Sequence, residues 1–287
     1  MTQGAIDLSP APAVSSSQLL LQKRLRGLYV ITDSQLGGGH LKMARAALDG
    51  GASILQLRDK KTPPRELLAI ARQIRVWTRD QNAMFLINDR LDLALLCEAD
   101  GVHLGPDDWP IGEARRVLGP QKIIGASTGT PAEARAATAD GADYLGAGAV
   151  FGTQTKTDAG APIGLENLRA IALATSLPVA AIGGLSRENI ASTFECGAQM
   201  ACVISALCPP KANSTKNEEN GIEHSGNKDS GNKDSGNKDS GNKDSGNKDS
   251  GNKDSGNKDS GAAMTQIARE LVALCEAALI VESEKRA

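Results

Sequence analysis

Gly27-Leu28-Tyr29-Val30-Ile31-Thr32-Asp33 opens the part of the chain whose pattern decides the fold. It is a short apolar, β-branched run closed by a hydroxyl and a carboxylate, and seven similar runs follow it. They are Ser53–Arg58, Ala83–Asp89, Gly101–Gly105, Ile123–Thr128, Tyr144–Val150, Val179–Gly184 and Met200–Leu207, each read as a strand. Helical patterns lie between them. The clearest is Pro63–Asn82, where the two prolines suit a first turn and Leu67, Ile70, Ala71, Ile74 and Trp77 recur at helical spacing. Sustained alternation of strand and helix requires a parallel sheet, because parallel neighbours need a crossover between them. Eight such units with no hairpin signal favour closure into a single (β/α)8 barrel of the α/β class over an open doubly wound sheet.

Outward from this core, residues 1–26 are expected to form an N-terminal extension, 27–207 the barrel, 208–261 an insertion, and 262–287 the last barrel helix with a tail. Within the insertion the pentapeptide Gly-Asn-Lys-Asp-Ser recurs seven times without variation from Gly226 to Ser260. No copy carries an apolar side chain. Nothing there offsets the entropy of ordering the backbone, so a disordered low-complexity segment is expected, either an expansion in a permissive loop or a tether. Beyond it Met264, Ile267, Leu271, Leu274 and Ala278 step by three and four, one face of an amphipathic helix. The insertion therefore separates strand eight from its own helix. Closing roughly 50 residues instead of five costs about 2 kcal/mol more, which a barrel tolerates.

Composition narrows the function. A hydrophobic content of 40% fills a core, while 2% aromatics leave little on which nucleic-acid bases could stack. The formal net charge of −2 argues against a generalised polyanion binder, so an anion site must be local, built from a few placed cations and N–H groups. Cys97, Cys196, Cys202, Cys208 and Cys275 are scattered with no C-x-x-C spacing, the pattern of reduced thiols in a cytoplasmic protein. Residues 1–14 lack a basic cluster followed by an apolar run, and no stretch of 18 apolar residues occurs, so neither secretion nor a membrane span is expected.

In a (β/α)8 barrel the reactive groups lie at the C-terminal ends of the strands. Here those ends are polar. Gln56, Arg58 and Lys60 share one face by period-two alternation, and two cations with an amide suit a phosphorylated ligand. A solvated strand end with Arg58 paired to Asp59 explains that stretch equally well. Strand three ends in Asn88-Asp89, and the loop after strand four reads Gly105-Pro106-Asp107-Asp108. Two carboxylates on neighbouring strands are enough for Mg²⁺, which takes one or two and fills its shell with water and phosphate oxygens. Taken singly, Asp89 could cap a helix and Asp108 could close a turn. The run from Gly148 to Asp158 concentrates hydroxyls and Lys156 among small residues, and Gly183-Gly184 and Ser205 end strands seven and eight, where this fold often holds phosphate. His103, inside strand four, reads as a packed, hydrogen-bonded residue. No nucleophile with a partner base stands out, so covalent catalysis is not expected.

Read together and in order, Gln56-Leu57-Arg58-Asp59-Lys60, Ile87-Asn88-Asp89, Gly101-Val102-His103-Leu104-Gly105 with Asp108, Thr153-Gln154-Thr155-Lys156 and Ile182-Gly183-Gly184 resemble the thiamine-phosphate synthase family. The resemblance runs from about Gly27 to Leu207 and resumes in the last helix. It implies a Mg²⁺-dependent transferase that joins a pyrimidine pyrophosphate to a thiazole phosphate. It further implies that Gln56, Arg58, Lys60, Asn88, Ser127 and Lys156 hold the former, that Asp89 and Asp108 bind the metal, and that Thr153, Gln154, Thr155, Gly184, Ile204 and Ser205 hold the latter. Arg58, Lys60 and Lys156 take the catalytic role of stabilising the departing pyrophosphate. Small-molecule substrates, no nucleic acid, no membrane and a possible homo-oligomer follow from the same resemblance. Two departures stand out: the family's histidine close behind the strand-five serine is absent from Ser127-Thr128-Gly129-Thr130, and the repeat is foreign to the pattern. A thiazole tautomerase on the same barrel, which would want that histidine, and a non-catalytic phosphate-binding barrel are the alternatives.

Overall fold

The computed structural model describes residues 16–153, 155, 160–210 and 255–286. Its strands are β1 (Gly27–Thr32), β2 (Ile54–Leu57), β3 (Met84–Asn88), β4 (Gly101–Leu104), β5 (Ile123–Thr128), β6 (Tyr144–Ala147), β7 (Val179–Ile182) and β8 (Met200–Val203). They pair in chain order, all parallel, and β8 closes on β1 through Gly27 opposite Met200. The helices are α1 (Ser16–Arg24), α2 (His40–Asp49), α3 (Pro64–Asp80), α4 (Leu91–Leu96), α5 (Ile111–Leu118), α6 (Pro131–Ala139), α7 (Gly164–Leu173), α8 (Ile190–Glu195) and α9 (Ser255–Arg286). This is the expected closed barrel.

The period of two sends successive side chains to opposite sides of the barrel wall. Leu28, Val30, Leu55, Leu57, Phe85 and Ile87 pack outward against the helices. Tyr29, Ile31, Ile54, Met84, Leu86 and Tyr144 fill the lumen instead. Just before β1, Leu25 is fully buried in that inner cluster, with Leu21 of α1 packed beside it. Part of the expected extension therefore stoppers the N-terminal end of the barrel; two leucines are too short a signal for periodicity to detect.

The expected strands overrun the observed ones at their C-terminal ends. Arg58, Asp89, Val150 and Gly184 have left the ladder, and Ser205–Leu207 form a 3-10 turn. These are the positions where polar or small residues turn the chain into the mouth. The last helix also begins ahead of its expected start at residue 262: α9 starts at Ser255 and includes the final pentapeptide. Once a helix is nucleated, each added residue gains a hydrogen bond, so it extends past its apolar face. The rest of the expected disordered segment, from residue 211 to 254, lies outside the described residues. Met264, Ala268, Leu271 and Cys275 of α9 are fully buried, and the helix packs between α8 and α2. None of the five cysteines forms a disulfide, and among the described residues no helix is long and apolar enough to cross a membrane.

Candidate active site

A cavity of about 320 Å³ opens at the C-terminal mouth of the barrel. From the first half of the barrel Gln56, Arg58, Asn88 and Ser127 line it; from the second half Thr153, Thr155, Gly184, Ile204 and Ser205 do. Gln154 and Lys156 lie outside the described residues. Arg58 leaves β2 with its Nε buried and without a hydrogen-bond partner, and Gln56, only 1% exposed, has its Oε1 in the same condition. Orphaned polar atoms in a native interior call for a further partner, such as water, an ion or a ligand group.

Lys60, Asp89 and Asp108 are not among the residues that line this cavity; one residue beyond the lining Asn88, the backbone of Asp89 turns into the left-handed region, with φ +63°. That turn ends β3 and brings the Asp89 carboxyl against that of Asp108, with Lys60 Nζ 3.5 Å from Asp89 Oδ2. Burial first, then the neighbouring Asp108, pushes the Asp89 carboxyl up to about 6 against the pull of Lys60. Asp108 is held below the usual carboxylate range despite burial, because Asp89 and the Gly105 N–H, at 2.7 Å, hydrogen-bond to it. Asp108 thus closes a turn and also joins the pair. Asp89 does not cap α4, which has no side-chain cap. Among the described residues no group of three or more His, Cys, Asp or Glu gathers as a metal cage. Two neighbouring carboxylates are an oxygen donor set that fits Mg²⁺, the remaining positions going to water and substrate oxygens.

The end of β2 is braced from behind. His40 Nε2 and Asp59 Oδ2 are 2.8 Å apart, and Thr32 Oγ1 lies 2.8 Å from His40 Nδ1. Asp59 Oδ1 accepts the N–H groups of Lys61 and Thr62, and Oδ2 accepts the Thr62 hydroxyl. Asp59 is thereby committed to His40 and its own turn, and the alternative of a pair with Arg58 does not hold. His40 is a residue that sequence reasoning missed, because it comes from another strand-to-helix connection.

Across the mouth, the loops after β6, β7 and β8 meet. Val150 N–H bonds to Ile182 O at 2.8 Å and Phe151 N–H to Gly183 O at 3.0 Å, carrying the β6–β7 contact beyond the strands. Gly184 has φ +66°, and a Cβ there would lie 2.5 Å from Gly152 O, so no other residue fits this closure. Thr155 Oγ1 donates to Ser205 Oγ at 3.0 Å, tying the β6 loop to β8. At the position behind the strand-five serine, Glu133 Oε2 accepts the Gly129 N–H at 2.6 Å and the Asn167 amide donates to Gly129 O at 2.7 Å. Glu133 also lines the cavity, a contribution not foreseen from the sequence. The expected hydrogen-bonded role of His103 is met: its ring lies between Tyr144 Oη at 2.9 Å and Ser127 Oγ at 3.0 Å. Tyr29 and Tyr144, buried in the lumen with their hydroxyls 2.9 Å apart, were missed because their strands give no local sign that two phenols meet.

A closed barrel with its polar groups gathered at the C-terminal mouth defines a (β/α)8-barrel enzyme. Comparison with known proteins narrows the class. The sequence model of one family, described as thiamine monophosphate synthase, matches residues 28–207. The thiamine-phosphate synthase of Moorella thermoacetica is 53% identical over 182 residues, 63% of this chain and 87% of that protein. That of Methanoculleus marisnigri is 50% identical over 63% of this chain and 86% of its own length. Among solved structures, thiamine phosphate pyrophosphorylase from Pyrococcus furiosus superposes with a TM-score of 0.61 at 45% identity, covering 65% of this chain and 89% of that one. The chain belongs to the thiamine monophosphate synthase family, and is accordingly a transferase.

Proposed function

We propose that the protein is a thiamine-phosphate synthase that condenses 4-amino-2-methyl-5-hydroxymethylpyrimidine pyrophosphate with a thiazole phosphate, giving thiamine phosphate and pyrophosphate. The observation that carries this reading is that Arg58 and Asn88 share one cavity lining with the hydroxyls of Thr153, Thr155 and Ser205, while Lys60 and the Asp89–Asp108 pair cluster beside Asn88, at the ends of neighbouring strands. Gln56, Arg58, Lys60, Asn88, Ser127 and Lys156 hold the pyrimidine pyrophosphate. Thr153, Gln154, Thr155, Gly184, Ile204 and Ser205 hold the thiazole phosphate.

Asp89 and Asp108 would hold Mg²⁺, which when bound supplies positive charge to the leaving diphosphate. In the proposed reaction the bond from the pyrimidine methylene carbon to oxygen breaks, its electron pair leaving with pyrophosphate. The lone pair of the thiazole nitrogen then forms the new carbon–nitrogen bond. Arg58, Lys60 and Lys156 favour this step because the charge they face grows as the bond breaks. No proton leaves the nitrogen, so no general base is required. The five cysteines, none in a disulfide, support a cytoplasmic setting.

The test is turnover by the full chain with both substrates and Mg²⁺, following pyrophosphate release and thiamine phosphate. Product that requires both substrates is expected. Absence of product, or conversion of a thiazole substrate alone, would overturn the reading, the second in favour of a tautomerase.

A further inference from the structure

A row of polar groups runs from Gln56 to Ser127, and its three middle members, Tyr29, Tyr144 and the cavity-lining His103, have no role in the proposed chemistry. Gln56 Nε2 donates to Tyr29 Oη at 2.6 Å, and the Tyr29 and Tyr144 hydroxyls are 2.9 Å apart. Tyr144 Oη is 2.9 Å from His103 Nδ1, and His103 Nε2 is 3.0 Å from Ser127 Oγ. Five side chains from five strands thus form one hydrogen-bonded row across the lumen, and both of its ends, Gln56 and Ser127, line the cavity. The rings sit where they do because two glycines, Gly125 of β5 and Gly146 of β6, carry no side chain there. A Cβ on Gly125 would lie 2.1 Å from Tyr144 Cζ, and one on Gly146 would lie 2.8 Å from His103 Cε1.

Counting protons gives the row a direction. Each phenol has one proton, and burial, the largest cause, holds both well above the usual tyrosine range, so neither ionises at working pH. With the Gln56 amide donating to Tyr29, the Tyr29 proton serves the bond to Tyr144, and the Tyr144 proton serves His103 Nδ1. A neutral imidazole that accepts at Nδ1 carries its proton on Nε2, and donates it to Ser127 Oγ. The Ser127 proton is then left to donate into the cavity, while the buried Gln56 Oε1 is left to accept. So long as the imidazole is neutral, reversing any one of these bonds sets two donors or two acceptors against each other unless all are reversed. In low-dielectric surroundings such a mismatch costs a buried hydrogen bond, so the polarity is all or none.

We propose that Tyr29, Tyr144 and His103 are positioning residues that lock this polarity, so that the floor of the site presents an acceptor at Gln56 and a donor at Ser127. The ligand edge it selects is an amino-substituted nitrogen heteroaromatic, whose amine donates on one side and whose ring nitrogen accepts on the other. The ligand class rests on the proposed function; the polarity does not.

Nitrogen-15 spectra of the imidazoles in the ligand-free full-length protein test the polarity, with the His103 signals identified by their loss in His103→Gln. A single neutral tautomer protonated at Nε2 is expected at neutral pH, and in Tyr144→Phe a mixture of tautomers. Protonation of the wild-type ring at Nδ1, or a mixture there, overturns the proposal without any variant. Tyr29→Phe and Tyr144→Phe are each expected to raise KM for the pyrimidine substrate about tenfold, the value of one hydrogen bond. KM for the thiazole phosphate should stay within about twofold, since that ligand does not depend on the row. An unchanged pyrimidine KM in both variants also overturns it. If wild-type protein makes no thiamine phosphate, the function reading fails, while the tautomer measurement still decides the polarity.

Discussion

Arg58 and Asp59 are adjacent in sequence and do opposite things. Arg58 lines the cavity with its Nε buried and unpaired, whereas Asp59 turns back to His40 and the N–H groups of Lys61 and Thr62. A cation that meets growing charge stabilises the transition state more than the bound substrate. Arg58→Ala and Lys156→Ala are each expected to lower kcat at least about a hundredfold, roughly 2.7 kcal/mol, in the pyrophosphate-release assay. Asp59 makes a separate prediction about pH. Burial raises its pKa, but the bonds from His40, Thr62 and Lys61 outweigh this and hold the carboxyl below its ordinary range. A depressed folded pKa contributes stability above the unfolded value of about 3.9 and loses it as pH falls toward the folded value. Denaturant midpoints between about pH 3 and 7 should therefore fall less steeply with acid in Asp59→Asn than in the parent. Parallel acid limbs in the two proteins would show that the brace contributes no pH dependence.

At the scale of elements, α9 must find its place across the long insertion. Its buried face decides the matter: one fully buried Leu such as Leu271 contributes about 1.5–3 kcal/mol, comparable with the extra closure entropy of about 2 kcal/mol. The packing is also tight, since a Cβ on Gly50 would lie 2.2 Å from Ala268 Cβ. Leu271→Ala is expected to cost about 2–5 kcal/mol in equilibrium unfolding. Removal of residues 226–254, which stops short of α9, should leave turnover within about fivefold, because loop closure depends only logarithmically on length. A large loss of activity or folding in that deletion would give the repeat a role beyond a spacer. The loops after β6 and β7 make the opposite case, where no slack exists. Gly184→Ala meets Gly152 O at 2.5 Å with φ +66°, and KM for the thiazole phosphate should rise at least about tenfold.

On the scale of the whole molecule, the barrel was legible because alternation of apolar runs with helical periods is a local property repeated eight times. The mouth was legible for a related reason: the polar residues Gln56, Arg58, Asn88, Asp89 and Ser205 stand at strand ends, and closure brings strand ends together. The strand limits themselves were less legible. Val150 and Leu207 look like strand residues by type, yet they lie outside the ladder, and only the neighbours they meet there decide it. Local sequence thus determined the number of units, their order, and which end of the barrel carries charge. Tertiary structure alone decided that Asp59 faces His40, that the Asp89 and Asp108 carboxyls meet, and that Tyr29, Tyr144 and His103 join Gln56 to Ser127 in one row. Each of those contacts links residues from different β/α units, and its partner is fixed by the curvature and register of a closed sheet, which no single stretch of chain encodes.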